Sequence, residues 1–410
     1  MNEHIRAKMK ENFAALQGGL FAEVTKADVG SAYNDLQKQG VSMMGWADPF
    51  YPDPSIPPHL LEKAIEYLKG GFPSHYTMPI GNDELKKEIA RKLARENGMQ
   101  VDPQRNIIIT PGSDSGLLYA MMPFIGPGDE VLVPDPSYPS NFLNAELLDG
   151  KSVPVPLDEE QGYRLNIQAF EERVTPRTKM VLLTNPNNPT TTVFQRAELE
   201  ELAEFICRRD LICVVDQAFE STIFDGREMV SIAALPGMEE RTVSVFSISK
   251  GMGLSGFRVG YLVACDTIMD VLYGGAVNVL GATNTLSQFL AIEAFRHPEF
   301  IEEYNAKHER RRRYAYETFR QVPGVKIQMP ESGFMCWLDV SALGDSTEIM
   351  SYLIKEAKVA CNDGKPYGSR GAGHLRLIIG CYWDDQKSFE AMDRMAEALK
   401  KLAAERGLSE

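Results

Sequence analysis

The sequence predicts an α/β fold: a mostly parallel sheet in a large domain, accompanied by a smaller α+β domain. Three observations predict it. Short β-rich runs alternate with helical patterns from about residue 60 to 265, the order that strand–helix–strand crossovers leave in a chain. Several runs are apolar without interruption, as expected for strands covered on both faces. The tail differs, mixing long helical patterns with isolated β runs.

In chain order, residues 1–48 read as an N-terminal arm contributing to the small domain. The stretch Pro49-Phe50-Tyr51-Pro52-Asp53-Pro54-Ser55-Ile56-Pro57-Pro58 reads as an irregular connection. Residues 49–295 are assigned to the large domain, with strands at 106–110, 130–133, 179–183, 211–215, 242–246 and 259–263. A helix is expected from Arg196 to Arg209, with Leu199, Leu202, Phe205 and Ile206 on one face. Residues 296–410 form the small C-terminal domain. One long helical pattern runs from Leu286 to Phe319, followed by a β run at 333–338, a helix near 346–357, a β run at 375–379 and a closing helix from about Lys387.

The 410 residues are 44% hydrophobic and 24% charged, an ordinary globular composition with enough chain for a sizeable core. A formal net charge of -14 repels polyanions and disfavours a nucleic-acid partner. The one basic run, Arg310 to Arg313, reads as a solvated helix face. Six cysteines without a C-x-x-C pair argue for reduced thiols, a cytoplasmic setting and no metal site. No apolar run approaches the roughly 18 residues of a membrane span, and the acidic start Met1-Asn2-Glu3-His4 lacks the apolar core of a secretory signal.

The chemistry concentrates after strands. Ser247-Ile248-Ser249-Lys250-Gly251 through Arg258-Val259-Gly260 offers one amine, small hydroxyl residues and an arginine. A lysine that condenses with a phosphorylated aldehyde needs such neighbours. Thr110-Pro111-Gly112-Ser113-Asp114 opens a helix, where free backbone N–H groups face an anion. Tyr138 follows the next strand, and Asn188 lies in the proline-braced turn after the Leu182-Leu183 strand. Asp216 ends Cys213-Val214-Val215, and an acid at a buried strand end needs a partner such as a protonated ring nitrogen.

In order and spacing, these motifs resemble the class I/II aminotransferases, fold-type I pyridoxal-phosphate enzymes, over roughly residues 40 to 395. The resemblance implies a cofactor, pyridoxal 5'-phosphate, bound as a Schiff base to Lys250. It implies that Ser247, Ser249, Arg258 and the amides of Ser113 and Asp114 hold the phosphate, and that Tyr138 stacks on the ring. Asn188 matches the donor to the ring 3-oxygen and Asp216 the acid at the ring nitrogen. Tyr76 matches a tyrosine reaching the phosphate of a neighbouring subunit, which implies a homodimer with shared active sites. Arg376, in Gly373-His374-Leu375-Arg376-Leu377, matches the clamp for the substrate α-carboxylate, a role that suits a planar fork. The implied reaction moves an amino group between an L-amino acid and a 2-oxo acid, with Lys250 as the proton carrier. A lyase, decarboxylase or oxidase on the same fold is the alternative.

The match has departures. Phe219 stands where the family commonly has a tyrosine that donates to the ring 3-oxygen, which predicts a raised pKa for the Schiff base. Thr191 replaces the glycine usual after Asn-Pro-Thr. Ala47, beside Trp46, replaces a substrate-facing glycine, so both residues are candidates for shaping the side-chain pocket. No second arginine is evident between Tyr273 and Thr285, so the sequence does not favour a dicarboxylate.

Overall fold

A computed structural model describes residues 7–14 and 31–408. Strand β1 (Ser42–Met43) precedes the large sheet, which is built from β2 (Ile107–Thr110), β3 (Glu130–Asp135), β4 (Lys151–Pro156), β5 (Thr178–Thr184), β6 (Ile212–Asp216), β7 (Thr242–Ser247) and β8 (Gly260–Val263). The spatial order is β2-β8-β7-β6-β5-β3-β4. Only β8 runs antiparallel to its neighbours, β2 and β7; the other pairings are parallel.

The unbroken apolar strands have a direct structural cause. Along β5, Val181 and Leu183 enter one core while Met180 and Leu182 enter the core on the opposite face. Along β6, Cys213 and Val215 alternate with Val214 in the same way. Each such side chain leaves water entirely, which stabilises the fold by about 1.5–3 kcal/mol per large aliphatic group.

The smaller sheet has the order β12-β13-β10-β9, formed by β9 (Lys326–Ile327), β10 (Met335–Asp339), β12 (Asn362–Asp363) and β13 (His374–Ile378). All its pairings are antiparallel. The helices Phe300–Phe319, Ser346–Glu356 and Asp385–Glu405 contribute to the core beside it. Strand β1 pairs in parallel with β11 (Val359–Ala360), which ties the early chain to this end of the molecule.

Three features differ from the sequence reading. The pattern from Leu286 to Phe319 is two helices, Thr285–Arg296 and Phe300–Phe319. Pro298 separates them: its ring excludes the helical hydrogen bond and disfavours helix at His297 before it. Strand β4, with the sequence KSVPVP, went unrecognised. It pairs only with β3 at the sheet edge, where its two prolines are tolerated. The basic run is only half a solvated face: Arg310 and Arg313 are exposed, whereas Arg311 and Arg312 are fully buried. Arg311 holds Asp385 and the carbonyls of Cys381 and Tyr382. Arg312 holds Asp225, Glu309 and the carbonyl of Pro330. Buried guanidinium groups persist when all their donors are answered in this way.

Candidate active site

The C-terminal ends of the central parallel strands open on a cleft of about 670 Å³, where open α/β sheets bind their ligands. Trp46, Ala47, Ser113, Asp114, Tyr138, Asn188, Asp216, Phe219, Lys250, Arg258 and Arg376 all line it. Residues scattered over 330 positions of chain therefore share one cleft.

Lys250 lies in the turn after β7, and its Nζ donates to the carbonyl of Ala47. Burial lowers its pKa to about 8, against the opposing pull of Asp114 and Asp48. Asp216, at the end of β6, is 6% exposed. Its Oδ1 accepts from the Ala218 amide at 3.0 Å. Burial raises its carboxyl to about 7, with the Ala218 hydrogen bond pulling the other way. The Asn185 amide donates to the Asp216 carbonyl at 2.9 Å, which joins the Asn188 loop to the acid.

The far wall is built for an anion. The helix Ser113–Met121 begins directly after Gly112, with no side chain capping it. Gly112 has φ +87°, and a Cβ there would lie 2.2 Å from Arg258 Nη2, so the guanidinium packs onto this turn. Arg258 Nη1 also donates to the Ser255 carbonyl at 2.9 Å. Free helix N–H groups beside an arginine suit a phosphate.

Ser247 and Ser249 do not line the cleft. The Ser247 hydroxyl accepts from the Ser249 amide at 3.1 Å and shapes the lysine turn. Ser255, Gly256, Ser140, Gly45 and Asp48 line the cleft although the sequence reading gave them no role. Each lies within two or three residues of a motif position, and that proximity was the available signal. Tyr76 is 96% exposed and does not reach the cleft of its own chain. Trp46 stacks on Tyr51 with ring centroids 5.7 Å apart, and Phe219 packs on Phe334 at 5.5 Å. Outside the cleft, Glu159, Asp339 and His374 lie close together. Asp339 is already held there by Ser341 and Lys326.

The donor set fits a phosphorylated pyridine aldehyde. It supplies an amine near neutrality, a buried acid that makes no ion pair among the described residues, an aromatic face and an anion cradle. Such a site at the strand ends of this sheet defines a fold-type I pyridoxal-phosphate enzyme. Comparison with known proteins narrows the class. The family "Aminotransferase class I and II" matches residues 41–395, and the chain belongs to it.

Aromatic-amino-acid aminotransferase 2 of Thermococcus litoralis is 33% identical over 88% of this chain and 92% of its own length. An aspartate aminotransferase of Pyrococcus abyssi is 33% identical over 85% of this chain and 90% of its own. The crystal structure of an aromatic aminotransferase from Pyrococcus horikoshii superposes with a TM-score of 0.84 at 30% identity, covering 92% of this chain and 100% of that one. The protein is a pyridoxal-phosphate-dependent aminotransferase that moves amino groups between amino acids and oxo acids.

Proposed function

We propose that the donor is an α-amino acid with an uncharged, preferably aromatic, side chain. The observation carrying this is the charge inventory of the cleft. Among the described lining residues the only cations are Lys250, Arg258 and Arg376, and all three have other work. Trp46, Tyr138 and Phe219 add aromatic surface. The likeness to an aromatic-amino-acid aminotransferase is matched by an equal likeness to an aspartate aminotransferase, so the charges of the cleft carry the choice. Spectroscopic half-reactions with phenylalanine, tyrosine, tryptophan, alanine and aspartate test it. Faster conversion of the aromatic donors is expected; a preference for aspartate sinks it.

Within that reading, pyridoxal phosphate supplies the electron sink when bound. Lys250 would hold the aldehyde carbon and, once released, take the proton from the substrate α-carbon and pass it to that cofactor carbon, a task suited to an amine with a pKa of about 8. Asp216 keeps the ring nitrogen protonated, and Tyr138 stacks against the ring. Asn188 Oδ1 already accepts from Arg376, so its amide N–H is what it offers the ring oxygen. The amides of Ser113 and Asp114 hold the phosphate with Arg258, helped by Ser255, while Ser247 and Ser249 shape the turn. Arg376 binds the α-carboxylate, and Trp46 with Ala47 borders the side chain.

A homodimer completes the site in this proposal. The exposed residues Leu61, Ile65 and Leu68 recur at helical spacing on Pro58–Gly70 and lead through Phe72 to Tyr76. A second copy covering that face brings Tyr76 to its neighbour's phosphate. A cytoplasmic location is also proposed, supported by six unpaired cysteines.

A further inference from the structure

Arg376 is buried, 2% exposed, and makes no ion pair among the described residues. Among the described residues its hydrogen bonds all end on neutral oxygens. Nε and Nη2 both donate to Asn362 Oδ1, at 3.1 and 2.8 Å. Nη1 donates to Asn188 Oδ1 and Nη2 to the Gly45 carbonyl, each at 3.1 Å. The Tyr367 ring lies 5.0 Å from the guanidinium carbon. A buried cation without an anion is costly, and an arriving carboxylate relieves that cost.

We propose that Asn362 is the positioning residue of the substrate clamp: it fixes the Arg376 fork from behind while leaving its charge for the α-carboxylate. This inference rests on reading Arg376 as that clamp. Asn362 and Arg376 are direct cross-strand partners of β12 and β13, so the sheet itself sets their distance. Leu375 and Leu377 alternate with Arg376 and enter the core, which turns Arg376 and Asn362 to the other face. The amide orientation is forced, because Nδ2 against the guanidinium would oppose two donors. Asn362 Nδ2 is buried with no partner. The position therefore tolerates an unsatisfied donor, a cost to stability, in order to present Oδ1.

Two consequences follow for the substrate. Asn362 occupies the Nε/Nη2 edge, Gly45 takes the second Nη2 proton and Asn188 one of the two on Nη1, so a carboxylate meets the terminal edge through the remaining Nη1 proton and by competing with these neutral oxygens. Asn362 is also neutral, so the fork is held without being cancelled. An aspartate at this position would hold it equally well and form an internal ion pair that competes with the substrate.

The test compares holoenzyme variants Asn362→Asp and Arg376→Ala in half-reactions with the preferred amino acid and with a simple amine lacking the α-carboxylate. For Asn362→Asp we expect the amino acid KM to rise on the order of ten- to a hundred-fold, with kcat within about three-fold. The visible spectrum and the reaction of the simple amine should match the native protein. If Asn362→Asp does not fold, Asn362→Leu removes the acceptor at similar volume and should raise KM in the same sense. Arg376→Ala raising KM beside an inert Asn362 variant overturns the positioning role alone. An unchanged KM in Arg376→Ala overturns the clamp reading and this inference with it.

Discussion

Lys250 Nζ donates to the backbone carbonyl of Ala47, 203 positions earlier in the chain. The contact joins the turn after β7 to the segment that follows β1, so the candidate catalytic amine is docked before any ligand arrives. Burial holds this lysine at about 8 instead of 10.5, and the cofactor-free fold carries a cationic group it would favour neutral. The folded state loses that proton first, so the cost is full below pH 8 and fades as pH rises to 10.5. Lys250→Met should therefore stabilise the cofactor-free protein at pH 7, by about 1–3 kcal/mol less the lost hydrogen bond. The advantage should shrink between pH 8 and 10.5. Thermal melts across that range decide it, and a variant less stable than native at pH 7 contradicts it.

Asp216 gives the mirror case. Its carboxyl is raised from 3.8 to about 7 by burial, so ionisation costs the cofactor-free fold progressively as pH climbs through that window. Asp216→Asn should be the more stable protein at pH 8, with the difference closing toward pH 4. In the holoenzyme the same change removes the partner of the ring nitrogen, and kcat should fall on the order of 10²-fold or more. Melting curves of both proteins at pH 4, 6 and 8, paired with turnover, separate the two effects.

The extent to which this site is legible in the sequence follows from burial. Asp216 ends a strand, and Lys250, Asn188 and Tyr138 follow others, whose faces are covered on both sides, and runs rich in Val, Leu and Ile between turn residues mark these strands in the sequence. Strand β4 is covered less and carries Pro154 and Pro156, so its pattern carries no such mark. Arg311 and Arg312 look solvated because their partners Asp385 and Asp225 lie 74 and 87 positions away. The Asn362–Arg376 pair is hidden for a related reason: it depends on antiparallel register, which neither strand records alone.

Phe219 faces the cleft and packs on Phe334, at the position where the family resemblance implies a tyrosine. A hydroxyl added there supplies a donor that favours the ionised ring oxygen. In Phe219→Tyr the pH midpoint of the holoenzyme's visible absorption should move down, by roughly half a unit or more. A titration with an unmoved midpoint means that the hydroxyl does not reach the ring.

Thr191 occupies the left-handed region with φ 65°, where a β-branched residue is strained. Its place is held from several sides. The amide donates to Asn187 at 2.9 Å, the carbonyl accepts from Ser332 at 2.7 Å, and Oγ1 accepts from the Glu331 amide at 3.3 Å. Thr191→Ala and Thr191→Gly both lose the hydroxyl, but only alanine keeps a Cβ in this conformation. The glycine variant should be the more stable of the two by about 1 kcal/mol. Urea denaturation measures the difference, and an alanine variant equal to or above glycine contradicts the strain.

Tyr76 is almost wholly exposed, at 96%, and an aromatic ring so placed at the end of an apolar face calls for a partner surface. If a second copy covers Leu61, Ile65 and Leu68, a charge at the centre of that face is buried without a counterion on assembly. The native protein should then run as a dimer in light scattering at micromolar concentration, and Leu68→Asp as a monomer. The monomer should also hold cofactor more weakly, because each site loses a phosphate contact made from the other subunit. Tyr76→Phe separates assembly from contact: it should remain dimeric while its cofactor affinity drops by about ten-fold, the value of one hydrogen bond to a charged group. A native protein that is monomeric yet fully active, or a Tyr76→Phe variant with unchanged affinity, removes the shared site from the reading.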